Sequence, residues 1–206
     1  MQLIAIIDYG VGNLFSLSSS LNHIGANSVV TGDKETIQAA DKIILPGVGA
    51  FGDAAKALSE SGLGEVIVSE AKAGKPLLGI CLGMQMLYEK SYEYGEHEGL
   101  GLLSGTVESI SNYLKDKSLK VPHMGWNNLT WDKEKPSLLQ NVEENSAFYY
   151  VHSFFAPVTE DTVAYSSYGN VDITGVCTRD NVMGTQFHPE KSGEVGFELL
   201  RMFAES

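Results

Sequence analysis

The chain has 206 residues, 43% of them hydrophobic, enough for one sizeable core and unlike a disordered chain. Its net charge of −12 argues against a nucleic-acid partner, which would require a basic face. No apolar run approaches the roughly 18 residues that span a bilayer, and the N-terminus has no basic stretch of the signal-peptide kind, so no membrane association is expected. Cys81 and Cys177 lie far apart and no Cys/His spacing resembles a zinc site, so neither a disulfide framework nor a metal is indicated. A reducing cytoplasm fits, and no cofactor is expected.

Residues 3–7 form a continuous apolar run, as a strand covered on both faces requires. A Gly-rich loop follows, then helical spacing over 14–24 that stops at Gly25. Strands are expected at 28–31 and 43–45, helices at 53–58 and 63–73, a strand at 76–80 and a helix running on to about residue 90. This alternation predicts an α/β fold with a central, mostly parallel sheet and helices on both faces. The second half reads differently. Short strands are expected at 106–110, 127–131, 147–153, 163–167, 173–178 and 182–187, with a turn at Arg179-Asp180-Asn181. They suggest an antiparallel extension of the sheet, closed by a helix at 195–204. No repeat or linker breaks the chain, so one domain over residues 1–206 is expected.

The stretch Gly79-Ile80-Cys81-Leu82-Gly83 carries the most specific chemistry. An apolar strand leads into it and a helix leads out, the pattern of a nucleophile elbow that holds its central side chain up into a cleft. Glycines on either side remove Cβ atoms that the tight turn would force together. The helix N-terminus just beyond favours a thiolate. The pattern by itself is equally compatible with a buried structural cysteine. A nucleophilic cysteine needs a base, and His188 is the best placed, at the end of the 182–187 strand. Pro189 biases it towards extended geometry, and Glu190 can fold back to hold its other ring nitrogen. Pro46-Gly47-Val48-Gly49 suits an oxyanion loop, with the amide after the cysteine, that of Leu82, as a second donor. It lacks the Lys-Ser/Thr that completes a phosphate loop.

Together, Gly79-Ile80-Cys81-Leu82-Gly83-Met84-Gln85 and Gln186-Phe187-His188-Pro189-Glu190 resemble the class I (triad) glutamine amidotransferase family, whose fold is flavodoxin-like. Asp8 to Leu14, Pro46 to Phe51, Val121 to Asn127 and Tyr150 to Phe154 narrow the resemblance to members that feed a separate cyclase of histidine biosynthesis. It runs from residue 3 to about residue 203, leaving no room for an appended synthase domain. The resemblance implies that Cys81 attacks the side-chain amide of L-glutamine, that His188 shuttles the proton and that Glu190 orients His188. A glutamyl thioester forms, ammonia leaves and water releases glutamate. It also implies an oxyanion site between the amides of Val48 and Leu82. Gly49 and Gln85 would hold the substrate, with backbone groups of Ser153 and Phe154 at its amino-acid end. Phe154 stands where family members often carry tyrosine.

Pro122-His123-Met124-Gly125-Trp126 is an unusually apolar loop to leave in water. It suits either a local core cluster or an interface anchor, where Trp and Met are enriched. The resemblance implies the latter: Met124, Trp126 and Lys191 would meet a cyclase subunit with a (β/α)₈ barrel, forming a heterodimer that passes ammonia between its sites. Tyr9, Gly10 and Asn13 are candidates for coupling those sites through the oxyanion loop. His152 is expected to line the cleft without transferring protons, and Cys177 to sit in the core. Three alternatives remain at this point: a glutaminase serving an anthranilate or pyridoxal phosphate synthase, a flavodoxin-like binding domain, and a cysteine peptidase.

Overall fold

The computed structural model describes residues 2–131 and 134–206. In chain order the first half runs β1 (Leu3–Ile7), α1 (Leu14–His23), β2 (Asn27–Thr31), α2 (Lys34–Ala39), β3 (Lys42–Gly47), α3 (Phe51–Ser61), α4 (Leu63–Lys72), β4 (Leu77–Cys81) and α5 (Leu82–Met86). The second half runs β5 (Lys90–Ser91), β6 (His97–Glu98), β7 (Thr106–Ser109), α6 (Ile110–Tyr113), β8 (His123–Asn128), β9 (Ala147–His152), β10 (Phe154–Phe155), β11 (Thr162–Tyr168), β12 (Val171–Arg179), β13 (Val182–Thr185) and α7 (Gly193–Glu205).

A seven-stranded sheet orders these as β11-β12-β13-β4-β3-β1-β2. The pairs from β13 to β2 are parallel, and β11 and β12 extend one edge antiparallel. The parallel part has the flavodoxin-like order, whose ligands sit beyond the carboxyl ends of the strands. Strand periodicity explains the two cores. In β1, Ala5 and Ile7 join one buried cluster while Ile4 and Ile6 join the other, because successive side chains point to opposite faces. The cluster containing Ala5 and Ile7 is filled by α3 and α4 through Phe51, Leu58 and Ile67. The other is filled by α1 and α7 through Leu17, Leu21, Leu199 and Phe203.

Several elements depart from the sequence expectation. The helix after Cys81 ends at Met86 instead of near residue 90: the chain closes with Leu87 N–H on Met84 O, and Lys90 pairs across to Thr106. Helix α2 goes unpredicted because its six residues bury only Ile37; its signal is the Asp33 cap, which accepts from Thr36 N–H at 2.8 Å. The antiparallel extension involves only β11, β12 and β13. The other second-half strands form two smaller sheets, β10-β7-β5-β6 and the pair β8-β9. Pro122 to Trp126 is not a loop from end to end, since β8 begins at His123 and pairs with β9 in the register His123–His152 to Asn128–Ala147.

Candidate functional site

Cys81 sits where β4 turns into α5 with φ 55° and ψ −111°, a conformation that a non-glycine residue adopts only under constraint. The constraint is packing of the flanking glycines. A Cβ on Gly83 would lie 1.8 Å from Leu45 O of β3, and one on Gly79 would lie 2.7 Å from Gly83 O. Only bare backbone lets the elbow close against its neighbouring strand. Because α5 has just five residues, its dipole is short. Direct contacts therefore matter more for the thiol than the helix terminus expected from sequence. One such contact is the Gln186 Nε2 donor, 3.7 Å from Cys81 Sγ.

His188 follows β13, which pairs with β4, so the sheet itself brings base and cysteine together. Its Nδ1 donates to Glu190 Oε1 at 2.8 Å, the fold-back geometry expected from the two-residue spacing. That bond leaves Nε2, buried and with no hydrogen-bond partner of its own, as the nitrogen available to Cys81. Burial alone would pull the His188 pKa down, but Cys81 and Glu190 override it and hold the imidazolium above its usual range. The His188 backbone is fixed by two bonds: its N–H donates to Tyr149 O at 2.9 Å, and Ser192 Oγ donates to its carbonyl at 2.7 Å. Ser192 Oγ also accepts from Tyr149 N–H, which clamps the His-Pro-Glu turn onto β9.

A cavity of about 330 Å³ opens over this arrangement, lined by Cys81, Leu82, His188, Val48, Gly49 and Gln85. Ser153, Phe154, His152 and Glu93 also line it. The nine residues with proposed catalytic, oxyanion or substrate roles thus share one cavity, except Glu190, which stands behind His188. Gly49 has φ +99°, the left-handed region open to glycine, and Val48 beside it is 41% exposed. Tyr9 Oη donates to Pro46 O at 2.8 Å and so ties this loop to the end of β1. Gln85 Nε2 donates to Phe154 O at 2.8 Å and Gln186 Oε1 at 3.0 Å. The Ser153 carbonyl is engaged by Ile110 N–H.

Met124 and Trp126 lie on the outward face of β8, 65% and 58% exposed. Lys191 is also exposed, and its Nζ lies 5.9 Å from the centre of the Tyr149 ring, against which Trp126 packs edge-on. The three residues expected at an interface therefore border one surface, close to the cavity. His152 lines the cavity as expected, and Cys177 is fully buried.

Four residues with structural claims on the site had no role in the sequence reading. Gln186 was visible only as part of the motif, and Ser192 as the residue closing it. His123 lies within the apolar segment. Glu93 lies in the polar stretch before Gly99, yet its carboxylate is buried at the cavity wall and accepts from Phe51 N–H at 2.8 Å. Burial raises its pKa, against the pull of that amide. Nothing in composition distinguishes Glu93 from its solvated neighbours. Among the described residues, no group of three His, Cys, Asp or Glu side chains is disposed to hold a metal ion.

A profile described as "Glutamine amidotransferase class-I" matches residues 5–205. The chain is 49% identical over 205 residues to the imidazole glycerol phosphate synthase subunit HisH of Geobacillus thermodenitrificans, covering 98% of this chain and 95% of that one. It is 46% identical to the subunit of the same description from Lactococcus lactis, covering 100% and 99%. Among solved structures, PurLQS from Thermotoga maritima superposes with TM-score 0.75 at 22% identity, covering 100% and 99% of the two chains. The glutaminase domain of Trypanosoma brucei CTPS with bound acivicin gives 0.68 at 14% identity, covering 100% and 95%. At those identities the structural matches speak for the fold alone.

Proposed function

The chain belongs to the class-I glutamine amidotransferase family, in its branch of HisH subunits of imidazole glycerol phosphate synthase, and from that premise we propose how its residues carry the reaction. The activity is that of a glutaminase: L-glutamine is hydrolysed to L-glutamate and ammonia, and the ammonia goes to a partner cyclase in histidine biosynthesis. In our reading the Cys81 thiolate attacks the side-chain amide carbon of glutamine. The developing oxyanion is held by the amides of Val48 and Leu82. Protonated His188 gives its Nε2 proton to the leaving nitrogen, and ammonia departs from a glutamyl thioester. Neutral His188 then takes a proton from water, whose oxygen attacks the thioester, and glutamate and the resting ion pair return. Glu190 keeps Nδ1 protonated throughout, so that Nε2 always faces the reaction. Gly49, Gln85 and the backbone of Ser153 and Phe154 grip the substrate, and Glu93 adds a carboxylate for its α-ammonium group.

One observation carries this reading. A cysteine strained to φ 55° shares a cavity with a histidine whose other nitrogen is already committed to a carboxylate. The partner expected for this family branch is a (β/α)₈ barrel. We place its docking on the face bearing Met124, Trp126 and Lys191, in a cytoplasmic heterodimer built on a single domain of residues 1–206. A sealed contact there keeps free ammonia from protonating in bulk water. The HisH relatives do not favour a synthase of anthranilate or pyridoxal phosphate type. The test is Cys81→Ala in the complex with its cyclase. Glutamine hydrolysis is expected to vanish while synthesis from added ammonium salts persists; hydrolysis at the wild-type rate would refute the assignment.

A further inference from the structure

Hydrogen-bond partners fix which atoms of two histidines carry protons, and the result is a directional chain of hydrogen bonds running from β8 to the Phe154 carbonyl, where a second set of donors from the Cys81 side converges. His152 Nδ1 lies 2.8 Å from Phe154 O, His152 Nε2 lies 2.9 Å from His123 Nδ1, and His123 Nε2 lies 3.2 Å from Asn127 Nδ2. Desolvation depresses both rings, His123 to about 4 and His152 to about 3, so each is neutral with one donor and one acceptor. A carbonyl only accepts, so His152 carries its proton on Nδ1 and presents a bare Nε2. His123 must then donate through Nδ1 and accept at Nε2. The other end agrees independently. Asn127 Oδ1 accepts from Asn128 N–H at 2.8 Å and its Nδ2 donates to Ser167 O at 2.9 Å, which fixes that amide with its donor towards His123.

Beyond Phe154 O the chain continues. The same oxygen accepts from Gln85 Nε2, Gln85 also donates to Gln186 Oε1, and Gln186 Nε2 reaches Cys81 Sγ. Along β8 the exposure alternates. Met124 and Trp126 face outward, while His123 and Asn127 face the chain just described. His123 is also held by its ring, stacked on Tyr150 at 4.9 Å and tilted against Tyr168 at 4.4 Å.

We propose that His123 is a positioning residue: through His152 it ties the partner-facing strand β8 to the Phe154 carbonyl and the Gln85 carboxamide, so that docking on Met124 and Trp126 sets the geometry of the glutamine pocket. The inference rests on the glutaminase reading and adds a route by which the docking face reaches that site. Each ring nitrogen of His123 and His152 has one partner, so a shift of β8 cannot be absorbed by rotating one ring without breaking a bond to its neighbour. His123 is outside the cavity lining, and its ring nitrogens reach it through His152, which lines it.

The experiment uses the complex of the full chain with its cyclase and the cyclase ligand. His123→Phe keeps a ring between Tyr150 and Tyr168 but removes both nitrogens. His123→Asn returns a donor near the position of Nδ1. Loss of the link is expected to weaken glutamine use (kcat/KM) about tenfold, the scale of one buried hydrogen bond, with the ammonium-dependent reaction of the cyclase unchanged. His123→Asn is expected to recover at least half of that loss, measured as log kcat/KM. A melting point lowered in both variants with glutamine kinetics unmoved would reduce His123 to a packing role and overturn the proposal. So would a failure of His123→Asn to rescue. Nitrogen-15 NMR of the wild-type chain gives a second check that needs no variant to fold. His152 is expected as the Nδ1–H tautomer with unprotonated Nε2, and the opposite tautomer would break the chain. If the wild-type complex does not hydrolyse glutamine at all, the underlying function fails; if it does and His123→Phe matches it, only this inference fails.

Discussion

Replacing Glu190 by glutamine keeps size and shape but removes the charge that His188 leans on. The His188 Nδ1 to Glu190 Oε1 bond is 2.8 Å long, and the two side chains are only 2% and 3% exposed, so solvent screens it little. A hydrogen bond to a charged partner in such a place contributes roughly 1.5–3 kcal/mol. At about 1.4 kcal/mol per pKa unit, that corresponds to roughly one to two units of support for the imidazolium. The sign follows from the direction of the shift. Glu190 is one of the two groups raising the His188 pKa, so its loss lets the imidazolium deprotonate at lower pH. The thiolate–imidazolium pair is then lost earlier as pH rises, and the alkaline limb of the glutaminase profile moves to lower pH by roughly one to two units. At neutral pH the rate falls by roughly ten- to a hundredfold, since the glutamine amide can also turn its donor to Nδ1 and stabilise the wrong tautomer. The assay is glutamate release by the cyclase complex from pH 6 to pH 10, with ammonium-dependent synthesis as a control. An unmoved alkaline limb with a rate within threefold of wild type would refute the orienting role.

Two further substitutions separate docking from folding. Trp126→Ala removes an indole that is 58% exposed, so folding stability is expected to stay within about 0.5 kcal/mol; calorimetric titration should show cyclase affinity reduced roughly thirtyfold, and unchanged affinity would move the interface elsewhere. Gly83→Ala puts a methyl 1.8 Å from Leu45 O, and urea unfolding should show a loss of roughly 3 kcal/mol or more; an undiminished midpoint would mean that the elbow does not need its glycine.

Much of this molecule can be read from its residues because local signals and tertiary demands coincide. The run Leu3 to Ile7 reads as a doubly covered strand and is one, since both faces of the sheet carry helices. The elbow reads correctly because glycines either side of Cys81 answer a steric demand that the β3 backbone makes there. What escaped depends on distant partners. The helix after Cys81 looks longer in sequence because Leu87 and Tyr88 continue its apolar spacing, yet both are claimed by the core where the chain turns towards β5. Pro122 to Trp126 reads as loop because it opens on proline and contains glycine; the strand character from His123 on comes from pairing with β9. Glu93 and Gln186 become site residues only through cavity burial and through contacts that span 42 and 105 positions. No window along the sequence contains that information.

The central claim is that Cys81, and not the chain's other thiol, is the nucleophile of a glutamine site. A glutamine-analogue electrophile incubated with the cyclase complex, followed by peptide mass spectrometry, tests it directly. One equivalent of label on Cys81, blocked by excess glutamine and absent from the buried Cys177, is the expected result. An unlabelled Cys81 in a complex that still releases glutamate from glutamine would contradict the account.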